Sequence, residues 1–182
     1  MPAKITFKNA FPIIILTAVV AICVTALTFT DSITRGKIES QEEQKIQHML
    51  SAMFPNMSKY TFKDDIYTIY SDGAEVGYAF LAVGKGYGGE ISILVGLKDE
   101  TTLKGITIIS QTETPGLGSR IAESYFTDQF AGLSIDEVAL KQDGGEVDAI
   151  TGSTISSKAV INAVRTTAME KVKLLKESEG RE

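Results

Sequence analysis

An uncharged run near the N-terminus, Ala10 to Phe29, reads "AFPIIILTAVVAICVTALTF" and constrains this chain more than any other feature. As a helix rising about 1.5 Å per residue, a run of that length crosses roughly 30 Å of hydrocarbon. It therefore reads as a transmembrane helix. The rival is a cleaved signal sequence, but the apolar core of such a signal runs about 7–15 residues and no clear A-x-A site follows this one. Pro12 is expected in the first turn, where a missing backbone N–H does little harm. Lys4, Lys8 and the amino terminus precede the span without an acid, whereas Arg35 and Lys37 beyond it are offset by Asp31 and Glu39. That asymmetry predicts a cytoplasmic N-terminus over residues 1–9 and a body outside the cytoplasmic, or inner, membrane.

The rest of the 182 residues suffices for one compact domain, and it holds the acidic excess of a chain whose formal net charge is −5. A nucleic-acid partner is not expected from such a balance. The single cysteine, Cys23, lies within the span, so the outer part has neither a disulfide nor a thiolate metal site. The single histidine, His48, falls beside the apolar face of "KIQHMLSAMF" and reads as an exposed structural residue. One histidine builds neither a catalytic triad nor a multi-histidine metal site.

Beyond the span, residues 30–55 read as a polar connecting helix stopped by Pro55. From Tyr60 the period changes. "YTFKD", "DIYTIYSDG", "EVGYAFLAV", "EISILVGL" and "LKGITIIS" are rich in β-branched and aromatic residues and are punctuated by Gly and Asp, which predicts an antiparallel meander. Ser119 to Phe130 is expected as a helix, Glu146 to Ile150 as a short strand, and Ile155 to about Lys176 as the last helix. Strands first and helices afterwards give an α+β domain over residues 56–182.

Three segments could carry chemistry. "GKGYGGE", Gly84 to Glu90, lies between strands and is explained as a hairpin loop; it lacks the Gly-Lys-Ser/Thr ending of a nucleotide-binding P-loop. "QTETPGLGSR", Gln111 to Arg120, satisfies turn chemistry through Pro115, Gly116 and Gly118, yet two glycines flanking Leu117 also let the backbone approach a flat ligand. "DAITGSTISS", Asp148 to Ser157, opens the last helix with five hydroxyls in seven residues, from Thr151 to Ser157. Capping the free N–H groups accounts for one or two of them. The others fit a phosphate held at a helix N-terminus, with Gly152 permitting close approach.

"DAITGSTISS" resembles the flavinylation motif (Asp, two residues, Ser or Thr, Gly, Ala, Thr) of FMN-binding domains. These occur in the G subunit of the Rnf electron-transport complex and the C subunit of the sodium-pumping NADH:quinone reductase. In that family a flavin transferase uses FAD to attach FMN through its phosphate to the last threonine. The resemblance puts the phosphoester on Thr154, with Asp148, Thr151 and Gly152 as motif positions and Ser153 where the family usually has Ala. "ETPGLG", Glu113 to Gly118, also matches, so Glu113, Thr114, Gly116, Leu117 and Gly118 are expected around the flavin. Ser156, Lys158, Tyr87, Gly88 and Gly89 are further candidates for cofactor contact, Lys158 as a phosphate partner or as a solvated helix-face lysine.

The single span, the outward domain and the order of the two motifs all fit this family, and the short length looks more like the Rnf G subunit than its longer relative. The resemblance implies a one-electron relay within a complex that couples ferredoxin and NAD to sodium or proton movement. Other subunits, the bilayer and a maturing flavin transferase would be its partners, and no residue need act as a general acid or base. The alternatives are the C subunit of the quinone reductase, a stand-alone outward flavoprotein, and a membrane-anchored module that binds a phosphorylated ligand reversibly.

Overall fold

A computed structural model describes residues 7–179. The chain divides into two compact units, Met1–Gln47 and His48–Glu182. The expected span and connecting helix form one helix, α1, over Phe7–Met53. Phe11–Asp31 within it is long and apolar enough to cross a membrane, with a mean hydropathy of 2.6. Pro12 lies inside this helix, not in its first turn, because the helix is described from Phe7 onward. Within the span Thr17, Thr25 and Thr28 return their hydroxyls to the carbonyls of Ile13, Ala21 and Val24, as hydroxyls in an apolar helix do. His48 is exposed.

The second unit is built on a five-stranded antiparallel meander in sequence order: β1 Lys59–Lys63, β2 Ile66–Ser71, β3 Ala74–Lys85, β4 Glu90–Leu97 and β5 Leu103–Gln111. All five expected strands are present. Two tight hairpins follow from their turn residues. Asp64 and Asp65 (φ 54° and 59°) join β1 to β2, and Asp72 and Gly73 (φ 50° and 85°) join β2 to β3. Lys171, nearly buried on the last helix, donates to the Asp64 carbonyl at 3.2 Å and ties that first turn down.

Period-2 alternation sends Phe80, Ala82, Ile91, Ile93, Val95 and Ile106 to one face of the sheet. The last helix, α3 (Thr154–Glu179), lays Val160, Ile161, Val164, Ala168 and Val172 against that face. The opposite face is covered around Gly77 and Gly96 by Phe54 and Met53, which occupy the space side chains there would need.

Two expected elements differ. Ser119 to Phe130 is not one helix but a 3-10 turn (Gly118–Ala122), a single α-turn, α2 (Ser124–Thr127), and a second 3-10 turn (Asp128–Phe130), broken by extended Glu123. Ile121, Phe126 and Phe130 are all fully buried. At about 100° per residue a straight helix would turn Ile121 and Phe126 roughly 140° apart, so the break lets both reach the core. Glu146 to Ile150 is not a strand: Val147 makes an isolated parallel bridge to Leu140. The N–H groups of Asp148 and Ile150 go instead to side chains, Gln129 Oε1 at 2.7 Å and Ser157 Oγ at 3.0 Å.

At Gly84 strand β3 meets α3 without a side chain between them, and a Cβ there would lie 2.7 Å from the Ala159 carbonyl oxygen. Gly84→Ala should push α3 off the sheet at a cost of about 1–3 kcal/mol. Denaturant unfolding of the detergent-solubilised chain reads this as a lowered midpoint.

Candidate functional site

The β3–β4 loop, the segment after β5 and the head of α3 converge at one end of the sheet. The loop closes on itself, Gly86 N–H donating to the Gly89 carbonyl at 2.8 Å. Its tip lies flat on residues 112–113, since a Cβ on Gly88 would sit 2.2 Å from the Thr112 carbonyl oxygen. After β5, Leu117 and Ser119 both donate to the Thr114 carbonyl, and Gly116 takes φ +75° at the corner.

Glu113 joins the three segments. Only 5% exposed, it accepts the Gly88 N–H on Oε1 at 2.8 Å and the Ser156 hydroxyl on Oε2. The Gln111 side chain accepts the Glu113 N–H, which fixes the backbone from which the carboxylate reaches out. Gly86 and Gly118 leave room for it: a Cβ would come within 2.3 Å of Oε1 at the first and 2.5 Å of Oε2 at the second. Gly86 and Gly88 of the first expected segment and Gly118 of the second are therefore tied to one carboxylate. Their sequence context alone explained them as turns.

The five hydroxyls at the head of α3 divide by task. Ser157 accepts the Ile150 N–H and donates to the Ser153 carbonyl at 3.1 Å, latching the helix to the segment before it. Ser156 belongs to Glu113. Thr151 and Thr154 are exposed. Ser153, 6% exposed, has an Oγ without a hydrogen-bond partner. Gly152 supplies the left-handed turn (φ +79°) that starts the helix beside Leu117.

Between these segments lies an open cleft of about 520 Å³. Tyr87, Glu113, Thr114, Leu117 and Gly118 form one side and Gly152 to Ser156 the other. Tyr87 (76% exposed), Leu117 and Ile155 give it an apolar rim. Ile155 was not foreseen. Its signal is periodicity: it stands nine residues before buried Val164, a half-turn away on the helix, so an apolar residue there faces away from the core.

Gly88, Gly89, Gly116, Thr151, Asp148 and Lys158 do not line the cleft. Gly88 acts behind it through Glu113. Lys158 pairs with Asp143 at 3.1 Å. Asp148 pairs with Lys141 at 2.6 Å, and this hydrogen bond holds the exposed Lys141 ammonium above its ordinary range. Among the described residues no group of His, Cys, Asp or Glu is arranged to hold a metal ion.

Residues 86–168 match the FMN-binding domain family. The G subunit of the Na(+)-translocating ferredoxin:NAD(+) oxidoreductase complex of Acetobacterium woodii is 33% identical over 188 residues, covering 88% of this chain and 89% of the relative. The G subunit of the ion-translocating oxidoreductase complex of Methanosarcina acetivorans is 35% identical over 159 residues, covering 81% and 85%. Among solved structures, the C subunit of the Na(+)-translocating NADH-quinone reductase from Parabacteroides distasonis aligns with a TM-score of 0.50 at 26% identity. That alignment covers 59% of this chain and 61% of the other.

Removing the Glu113 carboxylate strands a backbone donor and a hydroxyl in a buried place. Glu113→Ala should cost about 2–3 kcal/mol. Glu113→Gln, which keeps an acceptor for Gly88 and a polar partner for Ser156, should cost less than half as much. Denaturant midpoints of the two variants check the order, and faster amide exchange at Gly88 in the alanine variant checks the cause.

Proposed function

The chain belongs to the G-subunit family of ion-translocating oxidoreductase complexes, and from that premise we propose that it carries FMN as a phosphoester on Thr154 and relays electrons between other subunits. The observation that carries this reading is the exposed Thr154 at the head of α3, opening into a cleft of about 520 Å³ walled by the other two segments. That volume lies within the range of about 300–1,000 Å³ usual for cofactor sites. The residues suit the group. The first turn of α3 offers backbone donors and partial positive charge to a phosphate. Tyr87, Leu117 and Ile155 offer apolar surface to a flat ring.

FMN, when attached, supplies the reversible uptake and release of electrons. The chain's own residues hold and orient it. Attachment from FAD forms a bond between Thr154 Oγ1 and the flavin-side phosphorus as the pyrophosphate P–O bond breaks, releasing AMP and the hydroxyl proton. A flavin transferase would perform that step. Glu113 keeps the hairpin tip, the Thr114–Ser119 turn and the helix head in register, so the cleft retains its shape through turnover. Thr114, Gly118, Gly152, Ser153 and Ser156 line the phosphate and ring environment, while Asp148 and Thr151 belong to the motif a transferase would recognise from outside. A covalent link makes retention independent of affinity. The helix dipole contributes only about 0.3–1 kcal/mol at an exposed terminus, too little to retain the flavin alone.

The candidate span Phe11–Asp31 anchors this domain to the cytoplasmic membrane, and the preceding lysines favour a flavin domain on the outer face. Phe11 to Thr30 carries no ionisable group other than Cys23, so ion movement falls to the other subunits. The sequence relatives named above are G subunits, 33% and 35% identical over 88% and 81% of this chain, which supports the G-subunit reading over that of the quinone-reductase C subunit.

Co-expressed with a flavin transferase, the full chain should give a fluorescent band in a denaturing gel. Thr154→Ala should abolish it, and Thr61→Ala, exposed on β1 and outside the motif, should retain it. Flavin that binds the native protein but vanishes from the gel would instead support a reversible phosphate-ligand module.

A further inference from the structure

At the head of α3 every neighbouring hydroxyl of the buried side has a partner except one. Ser157 and Ser156 are committed to Ile150, Ser153 and Glu113. Ser153 lines the cleft, is 6% exposed, and its Oγ has no partner. Its main chain is fully engaged: the N–H donates to the Ile150 carbonyl at 2.9 Å, and its own carbonyl accepts from Ser157. Serine just before a helix ordinarily turns its oxygen onto an N–H of the first turn. Ser153 does not, so its hydroxyl is held in the cleft wall at an energetic disadvantage that a ligand oxygen would remove.

We propose that Ser153 is a phosphoryl ligand: its hydroxyl donates a hydrogen bond to a non-bridging oxygen of the phosphate esterified to Thr154. The inference rests on the attachment reading above and adds a residue role to it. Two features converge on one donor: it is adjacent in sequence to Thr154, and it stands beside the first-turn N–H groups. A phosphate oxygen bound there would carry negative charge, and hydrogen bonds to charged acceptors are the strongest. Where the resembling motif has Ala, this chain adds a donor. The position tolerates the smaller side chain, so Ser153→Ala should fold.

The test is a four-protein cycle: full-length wild type and Ser153→Ala in detergent, each unmodified and flavin-carrying, with calorimetric unfolding of the outer domain. Unmodified Ser153→Ala should unfold at or above the wild-type temperature, because the unpaired hydroxyl is gone. Attachment should raise the wild-type midpoint by about 2–6 °C more than it raises that of the variant. The phosphorus-31 resonance of the phosphodiester should also move between the two flavin-carrying forms. A purely structural serine would shift both forms of the protein equally and leave the increment unchanged; equal increments would overturn the role of Ser153. Absence of covalent flavin from wild type itself would overturn the attachment reading, and this one with it.

Discussion

The site depends on one buried carboxylate. Glu113 takes a backbone N–H from the β3–β4 loop and a hydroxyl from the first turn of α3, two donors separated from it by 25 and 43 residues of chain. Burying a carboxylate is unfavourable unless donors surround it, so the loop, the turn and the helix head are each held to the same point. The two glycines that face its oxygens, Gly86 and Gly118, cannot carry side chains without displacing it. The cleft is thus a consequence of the carboxylate's need for partners. Its floor is buried and hydrogen-bonded while its rim, with Tyr87, Leu117 and Ile155, is exposed.

The hydroxyl-rich stretch serves two purposes with neighbouring residues. Ser156 and Ser157 face inward and build the junction. Thr154 is exposed. One turn of helix therefore couples a buried, hydrogen-bonded junction to an exposed hydroxyl, an arrangement that suits the proposed attachment of a cofactor held in place yet approached by partner subunits.

Much of this was legible in the sequence. The five strands followed from alternation and turn residues, because a half-buried sheet with tight Asp and Gly turns leaves a local pattern. The last helix, expected from Ile155 to about Lys176, is present as Thr154–Glu179. What failed to appear was set by distant contacts. The break at Glu123 exists so that Ile121 and Phe126 can both be buried, and Asp148 and Ile150 give their N–H groups to the side chains of Gln129 and Ser157 and not to a strand. Glu113 looked like one residue of a turn motif. Its burial, and the pairing of its two oxygens with separate segments, depend on chain brought together from three places.

The most direct test is mass spectrometry of the tryptic peptide spanning residues 142–158 from membranes in which the complex has been assembled with its flavins. The account predicts that this peptide gains the mass of FMN less one water and that fragmentation places the group on Thr154. An unmodified peptide from flavin-loaded complex, or the group on Thr151, Ser153 or Ser156, would contradict it.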